Sequence, residues 1–144
     1  MNRHYLLLLS LTLILGVCGC SSVKPAKRQG NIDLESLKSA YVVWPPGIDR
    51  RIDEAANEAL EKHGVKVTTG PRHDKPTDVA FYVECEPRWT WDLVMYLSRL
   101  NIRFIDNATG QLLVSGEFKN SWLHTNPDPR TKTIEVIDSM YRRE

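Results

Sequence analysis

Apolar residues run almost without interruption from Tyr5 to Leu15 in the opening MNRHYLLLLSLTLILGVCGC, and the chain then turns polar and aperiodic over residues 21–31, SSVKPAKRQGN. The apolar run is about eleven residues long, short of the roughly 20 that a helix needs to cross a bilayer core of about 30 Å. It follows Arg3, so it reads as an export signal rather than a membrane span. The competing reading is a buried core helix, and an N-terminal run of leucines with no polar side argues against it. The polar stretch, with Lys24, Pro25, Lys27, Arg28 and Gly30, predicts a solvated tether. Eleven extended residues reach roughly 36–40 Å. Their cations would add about 1 kcal/mol each of attraction to an anionic membrane surface.

Periodic patterns begin near residue 38. Ser39 to Trp44 is β-branched and aromatic and stops at Pro45-Pro46-Gly47, which predicts a strand and a turn. In IDRRIDEAANEALEKHG, Ile52, Ala55, Ala56, Ala59 and Leu60 recur at helical spacing, with Asp49 as N-cap and Gly64 as stop. The small alanines predict a helix packed closely on a sheet, and Val65-Lys66-Val67 a short second strand. Thr69 to Thr77 is a loop by composition. From Asp78 to Glu86 the chain alternates, with Val79, Phe81, Val83 and Cys85 on the apolar side. From Thr90 to Asp106 it alternates again: Leu93, Met95 and Leu97 share one parity, and Leu100, Ile102 and Phe104 the other. A β-bulge near Ser98 would return both sets to one face. Residues 106–110 form a turn, and Gln111 to Phe118 is the hairpin partner, with Leu112, Val114 and Phe118 inward. Pro127 to Glu144 reads as a helix with Asp128 as N-cap, Pro129 in the first turn and an apolar stripe of Ile134, Ile137 and Met140 or Tyr141. The closing Arg142 and Arg143 suit its negative end. The order predicts an α+β fold: a two-layer sandwich whose mixed sheet contains a three-stranded antiparallel meander, with two helices on one face.

The two cysteines at the end of the signal refine this picture. Val17-Cys18-Gly19-Cys20 resembles the lipobox of bacterial lipoproteins, in which a small residue precedes the cysteine that receives lipid. Gly19 suits that place before Cys20, whereas Val17 before Cys18 is β-branched, so Cys20 is the expected lipidation site. A disulfide between cysteines so close would rarely reach the required geometry. The resemblance implies a diacylglycerol on the Cys20 sulfur and a further acyl chain, such as palmitate, on its amino group. Several acyl chains anchor stably where one does so marginally. Ser21 after the cysteine implies sorting to the outer membrane, facing the periplasm. The divisions are a signal peptide over 1–19, a lipidated cysteine and tether over 20–37, and a periplasmic domain over 38–144. Removing the signal takes Arg3 and no acid, so 19 basic against 18 acidic residues become 18 against 18. That balance argues against a nucleic-acid partner. It also leaves Cys85 as the one free thiol, which continues an apolar strand face and reads as core.

Catalytic motifs are scarce, with no G-x-S-x-G, H-E-x-x-H, Walker loop or C-x-x-C. His63, His73 and His124 lack ligand spacing, so no metal or cofactor is expected; solvated histidines are the simpler reading. Glu84 and Glu86 share a strand parity and could imitate an acid and base, but a solvent-facing strip accounts for them. The unusual stretch is Glu86-Pro-Arg-Trp-Thr-Trp-Asp92. Trp89 and Trp91 would face one way beside Arg88, a hot-spot composition, unless both cap the end of the core with their N–H groups wet. Trp122 would enlarge that patch if its segment lies near it.

With the lipobox, Val43 to Gly47, the alanine-rich helix, Asp78 to Val83 and Ile102 to Glu117 in view, the chain resembles small periplasmic lipoproteins of unknown function. Their architecture is related to the TolB N-terminal domain and to the CsgG and LpoB lipoproteins. The resemblance covers about residues 38–141 and implies a docking module with no catalytic set. The expected function is therefore a membrane-anchored, non-enzymatic binding or assembly module with an envelope protein as partner, contacted through Trp89, Trp91, Trp122 and Arg88. A small envelope hydrolase and a structural subunit of a secretion or transport complex are the alternatives. The tether is short for a partner beyond the peptidoglycan.

Overall fold

The computed structural model describes residues 22–45, 47, 51–121 and 126–142. Cys18, Cys20, Asp49, Trp122, His124 and Arg143 lie outside the described residues. Six strands form one sheet in the order β1-β6-β5-β4-β2-β3: β1 (Ser22–Arg28), β2 (Ser39–Val43), β3 (Lys66–Gly70), β4 (Phe81–Asp92), β5 (Val94–Asp106) and β6 (Leu112–Lys119). Helices α1 (Arg51–Lys62) and α2 (Pro129–Tyr141) pack beside each other. β2 runs parallel to both β3 and β4, whereas β4, β5, β6 and β1 pair antiparallel, so the sheet is mixed and contains the expected meander.

The helices form where their sequences direct them. In α1 the buried residues Ile52, Ala55, Ala56, Ala59 and Leu60 are the stripe read from spacing, and Gly64 ends the helix at φ 75°, a left-handed conformation that glycine adopts without a Cβ penalty. In α2 the Asp128 carboxylate accepts from the Thr131 N–H at 2.9 Å, and Pro129 opens the first turn. Gly116 explains how close α2 comes: a Cβ there would lie 2.7 Å from Val136 Cγ1 and 3.1 Å from Met140 Sδ. The layer between is filled by Phe81, Val83, Cys85, Leu97, Leu100, Ile102, Phe104, Val114 and Phe118 from the meander. Phe81 and Phe104 stack tilted at 5.0 Å between centroids.

The parity change in the long run is a bulge. Arg88 faces Arg99 and Trp89 faces Leu97, so Ser98 is the extra residue, and Leu97 rejoins Leu100, Ile102 and Phe104 in the core. The Ser98 hydroxyl fixes it by donating to the Arg88 carbonyl at 2.9 Å and accepting from Thr90 Oγ1 at 2.8 Å.

Three expectations are corrected. Residues 22–28 are not a solvated tether but edge strand β1, which pairs with β6 and packs Val23 and Ala26 on the core. Arg28 Nη2 secures it by donating to the Met140 carbonyl at 2.7 Å, near the negative end of α2. Second, Thr90, Trp91 and Asp92 belong to the strand that begins at Phe81, and the chain reverses about Leu93. Third, Leu93 and Met95 are not buried with Leu97 but stand exposed at that reversal.

Candidate functional site

Register places a group of residues at one end of the sheet. Ser22 opens β1 opposite Lys119 of β6, Lys119 lies opposite Arg99 of β5, and Arg99 opposite Arg88 of β4. β4 and β5 continue past that level as a two-stranded hairpin, pairing Trp89 with Leu97, Thr90 with Tyr96, Trp91 with Met95 and Asp92 with Val94. The chain enters the domain at the same end of the sheet from which this hairpin projects.

Side chains on the projecting hairpin change character with distance from the helices. Trp89 and Leu97 pack against the core, whereas Trp91 and Met95, next along the same face, are 68% and 56% exposed. Val94 is 54% and Leu93 89% exposed. The core stripe thus runs on past the helices that cover it. The other face of the hairpin carries Thr90, Tyr96, Asp92 and Val94. Leu93 makes the reversal at φ 61°, where a side chain costs roughly 1–2 kcal/mol and glycine or asparagine is usual.

The expected patch is therefore only partly assembled. Trp91 is a surface residue; Trp89 serves the core; Arg88, one position away, projects from the opposite face of β4. Trp122 lies outside the described residues, although its segment begins beside the bulge, where the Asn120 N–H donates to the Ser98 carbonyl at 3.0 Å. Leu93, Val94 and Met95 were missed as surface residues. A reversal about residue 93 pairs positions at equal distances on either side, which preserves parity, so an unbroken strand and this hairpin show the same alternation.

Below the hairpin a notch of about 480 Å³ is lined by Ser22, Lys24, Tyr96, Ser98, Lys119 and Asn120, among others. A larger cleft of about 890 Å³ lies between β1 and the end of α2, lined by Arg28, Asn31, Asp33, Ser139 and Arg142 among others. Neither gathers a histidine with a nucleophile among the described residues.

Elsewhere the titratable groups are tied into the fold. Glu84 is buried rather than solvent-facing, clamped between Arg72 and Arg103, and Arg103 also grips Glu86. Burial, together with the charges of Asp53 and Glu86, pushes the Cys85 thiol up to about 12, the inert core reading. His63 Nε2 meets Asp138 Oδ1 at 2.9 Å, and its ring stacks on Tyr141 at 3.9 Å. Burial and the charge of Glu35 push the Tyr141 hydroxyl up to about 12. Among the described residues no group of three or more metal-ligating side chains occurs, and no helix is long and apolar enough to cross a membrane.

Comparison with known proteins identifies shape and nothing narrower. No family model and no curated protein sequence matches the chain. Among solved structures it is similar to the PelC dodecamer from Paraburkholderia phytofirmans, as a single-substitution variant (TM-score 0.57, 13% identity, 82% of this chain and 98% of that one) and in a second crystal form (TM-score 0.56, 12% identity, 85% and 99%). It is also similar to TolB from Acinetobacter baumannii, with a TM-score of 0.50 at 12% identity over 83% of this chain and 29% of TolB. At these identities the likeness is one of fold.

Proposed function

We propose that the chain is a non-enzymatic lipoprotein of the bacterial envelope, anchored through acyl chains on Cys20 to the periplasmic face of the outer membrane. It binds a further envelope component through the β4–β5 hairpin. The observation that carries this reading is the exposed apolar tip of Trp91, Leu93, Val94 and Met95 at the end of the sheet where the chain enters. The fold-level likeness to TolB supports it, matching the architecture that the sequence resembles. An envelope hydrolase is less well supported. Among the described residues the pair of His63 with Asp138 is the nearest approach to a catalytic couple, and its histidine is stacked on Tyr141. A subunit role draws on the fold shared with PelC, which was crystallised as a dodecamer.

The anchor is tested by metabolic acyl labelling and membrane fractionation. Cys20→Ala is expected to lose both label and membrane retention, and Cys18→Ala to keep both; the reverse result sinks the assignment. A photoactivatable residue at position 91 should form adducts with an envelope component in cells, and a clean absence of adducts removes the hairpin as the contact.

A further inference from the structure

We propose that the β4–β5 hairpin dips into the interfacial layer of the membrane that holds the Cys20 acyl chains, with Trp91, Leu93 and Met95 in contact with lipid. The inference rests on the Cys20 anchor and specifies what the hairpin touches.

Chain geometry fixes the height of the hairpin relative to the anchor. Cys20 is two residues before Ser22, so its Cα lies within about 7.6 Å of that of Ser22 whatever path joins them. Ser22 stands level with Arg88, and Leu93 is five residues farther along β4 and its turn, about 16 Å at 3.3 Å per residue. With the strands along the membrane normal, the tip overshoots Cys20 by at least about 8 Å. Tilted hairpins reach less far. The overshoot matches the roughly 5–10 Å to which interfacial amphipathic segments bury their apolar side. A domain on a long tether could hold its tip away from the bilayer, but β1 removes that slack.

Side-chain chemistry agrees along the same axis. Trp91 and Met95 form one face of the hairpin and Asp92, Val94, Thr90 and Tyr96 belong to the other, so a tilt lays Trp91 and Met95 on the lipid and leaves the Asp92 carboxylate toward water. Tryptophan suits this boundary, with its ring in the apolar layer and its N–H near the headgroups. Behind the tip, on the face that carries Asp92, Arg88, Arg99 and Lys119 stand at the level of Ser22, with Lys24 two residues farther back and the Glu117 carboxylate shared between Lys24 and Arg99. A tilt onto Trp91 and Met95 turns these cations toward water together with Asp92, so the apolar face alone carries the lipid contact. Leu93 points the same way: it holds a left-handed conformation with its side chain almost wholly in solvent, which carries a cost and gives the fold no packing in return.

The test uses full-length protein processed in cells, purified from membranes and reconstituted into phosphatidylethanolamine–phosphatidylglycerol vesicles. Leu93→Cys, and separately Met95→Cys, carries a polarity-sensitive fluorophore; the buried Cys85 thiol does not compete for label. Ala108→Cys, in the turn at the opposite end of β5, is the control. Mass spectrometry of the N-terminal peptide reports the acyl chains on Cys20. On vesicles, the labels at 93 and 95 should shift to the blue and be quenched several-fold more by nitroxide on the acyl chains than the label at 108. Acylated, vesicle-bound protein whose 93 and 95 labels stay water-like overturns the hairpin inference and leaves the anchor standing. Protein with an unmodified Cys20 overturns the anchor, and with it the height on which the inference depends.

Discussion

Leu93 separates folding from function at the scale of one residue. Its backbone is left-handed and its side chain packs on nothing that would offset the strain. Leu93→Gly should therefore leave stability unchanged or raise it by about 1 kcal/mol in urea unfolding, while removing the most exposed apolar group of the tip. A loss of stability would show that the side chain serves the fold. Asp128 behaves in the opposite way. Its carboxyl is held below the usual range first by the Thr131 hydroxyl and then by the Thr131 N–H. Asp106 is depressed in the same manner by the Thr109 hydroxyl and N–H in the β5–β6 turn. For a carboxyl whose folded value is depressed, the stabilisation is present above the unfolded value near 3.9 and disappears as pH falls through the folded value. Thermal melts should accordingly be flat in this contribution at neutral pH and fall below about pH 4. Asp128→Ala should cost about 1 kcal/mol at pH 7 and reduce the acid-dependent loss.

At the scale of elements, the bulge at Ser98 decides which side chains of β5 are inside. Ser98→Ala removes its bonds to Arg88 and Thr90 and should cost about 1 kcal/mol. Deleting Ser98 is a different perturbation, because it removes the extra residue itself and lets Leu97 adjoin Arg99 in regular alternation, still inward and opposite Trp89. That variant should keep a cooperative melt, within about 1 kcal/mol of the alanine substitution. A deletion that abolishes the cooperative melt would show that the bulge serves more than the parity of β5. The bulge was legible in the sequence because the apolar parity changes within Leu97 to Leu100. β1 was not, since Val23 and Ala26 are three apart around an irregularity between Lys24 and Lys27, and that spacing is neither strand-like nor helical over so short a run.

For the whole molecule, β1 sets how closely the domain is held to whatever holds Cys20. Replacing its two core contacts, Val23→Asp with Ala26→Asp, puts carboxylates where apolar side chains pack, at about 1–3 kcal/mol each. The strand should release into a tether while the rest of the sheet stays folded. Lipidated protein carrying these changes should remain on vesicles by flotation, while a fluorophore at position 93 loses its acyl-chain quenching. Quenching that survives the release of β1 would mean that the hairpin finds lipid without being held there.

The sequence by itself determined the local and periodic features: the helical stripe and stop of α1, the capped start of α2, the meander with its bulge, the core place of Cys85 and the α+β class. Each follows from interactions among residues near one another in the chain, where spacing is the physical signal. Tertiary structure alone decided that residues 22–28 join the sheet, because the free edge of β6 supplies the hydrogen bonds that such a polar segment cannot supply for itself. It also decided where the apolar stripe on β4 and β5 ends as core and continues as surface. Trp89, Trp91, Met95 and Leu97 have one parity and one chemistry, and what distinguishes them is whether other elements reach that far along the hairpin.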